Sequence, residues 1–302
     1  MPELGHRAGP LLAVPNVSEG RDPKTIAAIA EAFGPGRLDL HSDPDHDRSV
    51  ITLAGRPGEL TPAVVAGARA AVARIDLRAH RGVHPRVGAI DVAPIVYLQP
   101  QDRGAACAEA LVLGDRLGEE LDLPVFLYGE LTSNARTRAD LRRGGPQRLA
   151  ERMRAGELVP DFGPAHLHPT AGAVLVAARP PLVAFNLELA SPATLEDAKQ
   201  IAAQIRASGP EGLPSVRAIG LWLEHRGVAQ VSVNVEDYRA TSLAQVVAAV
   251  ARHATPQRAE LVGLAPAEAF AGFPQELPVA NRRLLEDILS PWNPAAASKV
   301  QG

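Results

Sequence analysis

Apolar positions recur at two spacings along the chain, and the two spacings alternate. Ile26, Ile29, Ala30 and Phe33 fall three or four residues apart, which is one face of a helix. Asp22 and Pro23 open that helix as N-cap and first helical residue, and Gly34, Pro35 and Gly36 stop it. Short aliphatic or β-branched runs at residues 37–40 and 49–54 predict strands, and Thr61 with Pro62 begins a second helix reaching about Ile75. Further on, residues 90–98 read as a strand. Cys107, Ala110, Leu111 and Gly114 mark one face of a third helix, and residues 124–128 read as another strand.

From 136 to 170 the periodicity weakens into a basic, arginine-rich helical segment followed by PDFGPAHLHPT, whose prolines and glycines describe a loop of the length often used for binding. A boundary is expected near Arg179, Pro180 and Pro181. Beyond it residues 182–189 begin a second unit, whose helix is opened by Thr194 with Asp197 three residues on and stopped by Ser208, Gly209 and Pro210. Residues 216–223 and 228–235 predict an antiparallel pair. In the latter, Ala229, Val231, Val233 and Val235 alternate with Gln230, Ser232 and Asn234, the signature of a strand with one dry face. Leu243, Val246, Val247 and Val250 supply an apolar helix face to lie on it.

Composition narrows the function classes. The 302 residues are 46% apolar and 22% charged, as in a globular protein, but only 4% aromatic, so Ala, Val, Leu and Ile must build the interior. A net charge of -3 with no run of five basic residues argues against nucleic acid or an anionic membrane as the main partner. Cys107 is the lone cysteine and sits on an apolar helical stripe, which excludes an intramolecular disulfide and a cysteine-rich zinc site. The first ten residues lack the order of a signal peptide, and the longest apolar stretch, 171–178, is too short to span a bilayer, so a cytoplasmic location is expected.

The densest chemistry lies at residues 81–91, RGVHPRVGAID. Gly82 and Gly88 permit unusual backbone angles, while Pro85 fixes its own and keeps His84 out of helical geometry, so an imidazole is displayed on a shaped loop as a candidate general acid/base. Arg86 and Asp91 are candidates to set the ring's tautomer, to bind a substrate carboxylate, or simply to brace the loop. A second cluster, residues 41–48, packs His41, Asp43, Asp45, His46, Asp47 and Arg48 together, yet it fits no EF-hand or HExxH pattern and no metal is expected. Asn16, Ser18 and Glu19 follow the first strand, where open α/β sheets commonly place ligand sites; a capped turn is the alternative. No GxSxG elbow surrounds Ser18, and AGRPGEL at 54–60 lacks the Lys-Ser/Thr of a phosphate loop.

With AVPNVSEGRD at 13–22, LDLHSDPDHDRSVITLAG at 38–55, YGE at 128–130, PDFGP at 160–164 and RAELVGL at 258–264, the histidine segment resembles the formiminotransferase family over nearly the whole chain. The resemblance implies transfer of a formimino group from N-formiminoglutamate to tetrahydrofolate, the latter a co-substrate, by a homodimer that requires no metal. It implies an α+β fold of two subdomains, 1–179 and 180–302. Each would carry a mixed or antiparallel sheet with helices on one face, ferredoxin-like in character. It places the acid/base on His84, with a helper at His41, where some members carry an aspartate, or at Asp43, Asp45 or His46. Folate would contact residues 163–172, through Gly163, Pro164, His166, His168 and Gly172. Ala171 stands where some members place an aromatic residue, and an aromatic restored there is expected to stack on the pterin. The formiminoglutamate site would draw on Asn16, Ser18, Glu19, His46, Arg48, Arg86 and Asp91. A length of 302 residues leads one to expect a stand-alone transferase without the cyclodeaminase domain of some relatives. Formyl transfer between folate and glutamate, or folate binding without turnover, are the alternatives.

Overall fold

The computed structural model describes residues 9–290 and divides into two compact units, with the division between Pro180 and Pro181. In the first unit β1 (Leu11–Ala13) and β2 (Asn16–Val17) form one interrupted line, followed by α1 (Pro23–Ala32), β3 (Arg37–Asp43), β4 (Arg48–Gly55), α2 (Leu60–Arg74) and β5 (Ile90–Val96). Then come α3 (Arg103–Leu121), β6 (Val125–Leu127), α4 (Arg138–Arg142), α5 (Gly145–Arg154) and β7 (Val174–Arg179). The helix starts are chemically marked: the Asp22 carboxylate accepts from the amides of Lys24 and Thr25, with Pro23 in the first turn.

The seven strands make one sheet, in which β4 lies between β3 and the β1/β2 line, β5 follows on the other side, and β7 and β6 extend it. Neighbours from β3 to β5 are antiparallel, whereas β7 runs parallel to both β5 and β6. Leu11, Ile51, Leu53, Ile95, Val174 and Val176 face Ile29 of α1 and Phe33 at its C-cap, Val64 and Ala68 of α2, and Leu113 and Leu117 of α3, in one apolar cluster. The opposite face of β5, β7 and β6 is covered as well: Val92, Phe126, Leu175 and Ala177 pack against Leu141 of α4 and Leu149 and Met153 of α5. Helices therefore lie on both faces here, where one face was expected. Double coverage explains why residues 171–178 are apolar without alternation, and why that run had no strand assigned to it.

Two local expectations shift. β3, expected at residues 37–40, continues through Asp43, so His41 and Asp43 belong to the strand. On α3 the buried stripe is Ala106, Ala110, Leu113 and Leu117, while Leu111 is exposed and Cys107 half-buried; three consecutive apolar residues, 111–113, left the phase of the stripe open to sequence reading. Burial pushes the Cys107 thiol pKa up, as for a small core residue.

The second unit runs β8 (Val183–Leu189), α6 (Leu195–Ile205), β9 (Val216–Leu223), β10 (Val228–Val235), α7 (Leu243–Ala251), β11 (Pro256–Val262), β12 (Val279–Ala280) and α8 (Leu285–Leu289). Its sheet order is β12, β11, β8, β10, β9, all pairs antiparallel except β11 with β12. Reciprocal capping boxes, Thr194 with Asp197 and Ser242 with Gln245, start α6 and α7. Val231 and Val233 of β10, Phe185 and Leu187 of β8, and Ile201 and Val246 of the helices form its core. The predicted pair β9/β10 has unbroken register over all eight residues of each strand. Its second face is only partly wet, however: Gln230, Asn186, Glu188 and Glu260 are buried there, while Ser232 and Asn234 are half-buried. Both units thus follow a β-α-β-β-α-β path whose last strand lies beside the first, the ferredoxin-like order, on an α+β architecture. Among the described residues no helix is long and apolar enough to cross a membrane.

Candidate active site

The histidine segment occupies the connection between α2 and β5, and backbone contacts from three directions hold it. Ser18 donates its hydroxyl to Gly88 O at 2.7 Å, and its amide bonds Ala89 O. Residues 171–173 pair with it through Ala89 N to Ala171 O and Ala173 N to Val87 O, with Gly88 bridged to Gly172. A Cβ on Gly88 would fall 1.8 Å from Ala173 O, and one on Gly172 would fall 2.1 Å from Val87 O, so glycine is required on both sides of this seam. On the third side, the amide of Val83 reaches Asp45 O in the β3–β4 hairpin, and His80 Nε2 donates to Asp47 O at 2.8 Å while its Nδ1 accepts from Gly82 N. Arg86 spends its guanidinium on the loop's own carbonyls, those of Gly82, His84 and His80. It is a clamp in this geometry, not a group turned to a ligand.

Within this frame His84 is half-buried and shares one ring nitrogen between two partners. Its Nδ1 lies 2.8 Å from Arg48 Nη1 and 2.8 Å from Pro85 O. Arginine can only donate, so with Arg48 as the partner Nδ1 accepts and Nε2 carries the proton; with Pro85 O as the partner Nδ1–H donates and Nε2 is left basic. One ring can thereby present either a donor or an acceptor at Nε2. Its pKa is held well below the usual imidazole value, first by desolvation and then by the positive charges of Arg48 and Arg142 and by His46. The His46 and His84 rings are 5.8 Å apart. His84 is therefore neutral at neutral pH, the form able to accept a proton.

Arg48 is organised from several strands. Its Nε and Nη2 donate to Asn16 Oδ1 at 2.9 and 2.5 Å, and Nη1 donates to Asp91 Oδ2 at 3.1 Å. Burial first, and the nearby charge of Arg142 second, bring its pKa down to about 9. Asp91 reaches this position through a β-bulge: Val17 pairs with Ile90 and Asn16 with Val92, so Asp91 is the extra residue on β5. Its Oδ1 accepts from Val87 N, and its Oδ2 also accepts from Arg142 of α4.

The remaining sequence candidates separate by geometry. Asp43 Oδ1 caps the amide of His46 and shapes the hairpin, and His41 is buried on β3 opposite Val50; Arg48 and His46 are set against His84. Glu19 accepts from the amides of Arg21 and Asp22, so its carboxylate holds the turn that leads into α1. Gly163 and Pro164 lie where the loop passes Gly118 of α3, His166 is exposed, and His168 Nδ1 accepts from Ala171 N at 3.0 Å, closing the turn before Gly172. Ala171 is 1% exposed and belongs to the helix-side core. The expectation that an aromatic there would stack on a pterin is corrected by that burial, because the side chain points into packed aliphatic groups. Among the described residues no group of three His, Cys, Asp or Glu side chains is arranged to hold a metal ion. Sequence reasoning missed Arg138 and Arg142, although it marked their segment as basic; both lie on the short helix α4, of which Leu141 is buried.

Comparison with known proteins brings the same segments into one group. The family model for the formiminotransferase domain, N-terminal subdomain, matches residues 11–179, and that for the formiminotransferase domain matches residues 184–273. The chain is 39% identical over 275 residues to the formimidoyltransferase-cyclodeaminase of Sus scrofa, covering 85% of this chain and 50% of that protein. It is 37% identical over 271 residues to the glutamate formimidoyltransferase of Thermoplasma acidophilum, covering 85% and 88%, and 35% identical over 268 residues to that of Streptococcus pyogenes serotype M1, covering 85% and 89%. The chain thus spans about half the length of the formimidoyltransferase-cyclodeaminase relative and most of the length of the two shorter ones.

Proposed function

The chain belongs to the formiminotransferase family, and from that premise we propose that it transfers the formimino group of N-formimino-L-glutamate to tetrahydrofolate, with His84 carrying the proton. The observation that supports this reading most directly is the Nδ1 of His84, shared between the Arg48 guanidinium and the Pro85 carbonyl. The pterin's secondary amine attacks the amidine carbon and must lose its proton. The resulting tetrahedral carbon then expels the glutamate nitrogen, which must gain one. A neutral His84 with Nδ1–H held by Pro85 O accepts the first proton at Nε2, and the imidazolium so formed returns it to the leaving nitrogen. The products are 5-formiminotetrahydrofolate and L-glutamate, with the proton count unchanged. Arg48 and Arg142 make the imidazolium costly, so the proton is readily passed on.

Folate is assigned to residues 163–172, whose C-terminal end is seamed to the histidine loop at Gly172, with His166 as the exposed ring of that segment. Asn16, Asp91 and His46 act through Arg48 and His84 in this reading, whereas Ser18, Glu19, Asp43 and Arg86 shape the backbone around them and His41 is buried on β3. A cytoplasmic homodimer completes the assignment, its stoichiometry checked by light scattering. The decisive experiment offers formiminoglutamate and formylglutamate side by side with tetrahydrofolate as acceptor. Faster transfer from formiminoglutamate, undiminished by chelator, is the expected result; transfer from formylglutamate alone, or from neither, would overturn it.

A further inference from the structure

Resting on the formimino-transfer reading, we propose that Arg142 receives the α-carboxylate of the glutamyl donor, with Asp91 fixing its guanidinium beside Arg48. Arg142 has a side chain 10% exposed and is ion-paired to Asp91, whose own side chain is 1% exposed. That single carboxylate is shared by two guanidiniums through the same Oδ2, while its Oδ1 is taken by the Val87 amide. One negative charge cannot neutralise two buried cations, and an unmatched buried cation is costly unless an anion joins it. The surplus falls on Arg142. The donors of Arg48 are engaged by Asn16, His84 and Asp91, whereas Arg142 Nε is buried and has no hydrogen-bond acceptor among the described residues.

A second donor stands at the same helix. The Tyr128 hydroxyl is buried with no hydrogen-bond partner among the described residues, and its ring lies under Arg138, one turn before Arg142. Donors in excess of acceptors, together with excess positive charge, call for an oxygen-only anion, and a carboxylate is that group. Two glutamyl groups enter this chemistry, that of the donor and that of the folate tail. The donor is favoured by connectivity: its α-carboxylate hangs from the carbon bonded to the leaving nitrogen, so it must lie close to the proton carrier. Arg142 is linked to His84 through Asp91 and Arg48 alone. The folate tail is separated from the reacting amine by the aminobenzoyl group.

The test measures binding without turnover, so that it stands apart from the identity of the transferred group. L-Glutamate, the product that carries the α-carboxylate, is titrated calorimetrically into wild-type protein, Arg142→Gln and Arg142→Lys, alongside 4-aminobutyrate, which lacks that carboxylate. Arg142→Gln should weaken L-glutamate by at least about tenfold and Arg142→Lys by less, with 4-aminobutyrate weak and equal in all three. In steady state the KM for formiminoglutamate should rise by a similar factor while the KM for tetrahydrofolate holds. Undiminished L-glutamate binding in both variants would overturn the assignment, and so would a rise confined to the KM for tetrahydrofolate, which would move the carboxylate to the folate tail. Loss of formimino transfer by the wild-type protein, with Arg142-dependent glutamate binding intact, would sink the reaction and leave this subsite standing.

Discussion

The two units follow one β-α-β-β-α-β path and differ most where the second helix returns to the sheet: residues 75–89 make that connection in the first unit and residues 252–255 in the second. The longer connection carries His84. It is accompanied by a break between β1 and β2, by the bulge that turns out Asp91, and by α4 appended beyond the shared path. In the second unit the β9/β10 ladder is unbroken, and the charged groups on its buried polar face are matched two against two: Arg226 lies 2.5 Å from Glu188 and 4.0 Å from Glu260, Arg258 lies 4.0 Å from Glu188, and Asn186 donates to Glu260 at 3.2 Å. The first unit's polar face keeps more guanidinium charge than carboxylate around Asp91. One scaffold thus supports two outcomes. A regular ladder yields a closed polar layer that serves stability, and an interrupted one with long connections yields convergent groups with unused bonding capacity.

The sharpest way to break this contrast is His84→Ala. Turnover at saturating substrates should fall by about 10² to 10⁴ with chemical denaturation almost unchanged, since the half-exposed ring contributes little packing. Wild-type turnover in the variant would make the loop structural and end the comparison. Glu188→Ala should behave in the opposite way. It leaves Arg226 without its nearest carboxylate, so a loss of about 1–3 kcal/mol in denaturant stability is expected with turnover of the folded protein retained. A turnover loss at wild-type stability would show that the second unit's polar layer works in the chemistry.

Ala171→Trp separates core from site within a single loop. With the position buried in the helix-side core, overpacking should cost about 1–3 kcal/mol without tightening folate binding. Tighter folate binding at unchanged stability would return the residue to the ligand. The smallest effect concerns pH. Arg48 and Arg142 disfavour the imidazolium, so His84 stays neutral, and able to act as a base, below the usual histidine range; activity is lost as pH falls through that lowered pKa. Removing one cation by Arg142→Gln must raise the pKa and carry the acid limb of kcat/KM to higher pH, which ring-proton NMR titration of His84 reads directly. A limb that stays in place, or moves to lower pH, would show that these charges do not govern the ring.

Periodicity and punctuation determined a good deal of this protein. Asp22 with Pro23, the Thr194 to Asp197 box and the alternating valines of 228–235 are local devices, and each operates as its spacing requires because helix caps and strand faces are decided within a few residues. The RGVHPRVGAID segment likewise displayed its histidine. Three things escaped: the strand at 174–179, the phase of α3, and the partial burial of the second unit's polar face. Each depends on what covers an element from the other side, which no local pattern records. The site itself was decided by tertiary structure. Arg48 and Asp91 meet across 43 residues of chain, and Arg142 and Asp91 across 51, through a bulge and a short helix on the far face of the sheet. The charges that depress His84 come from those distant positions, so the residue type was written in the sequence and its chemistry was set by the fold.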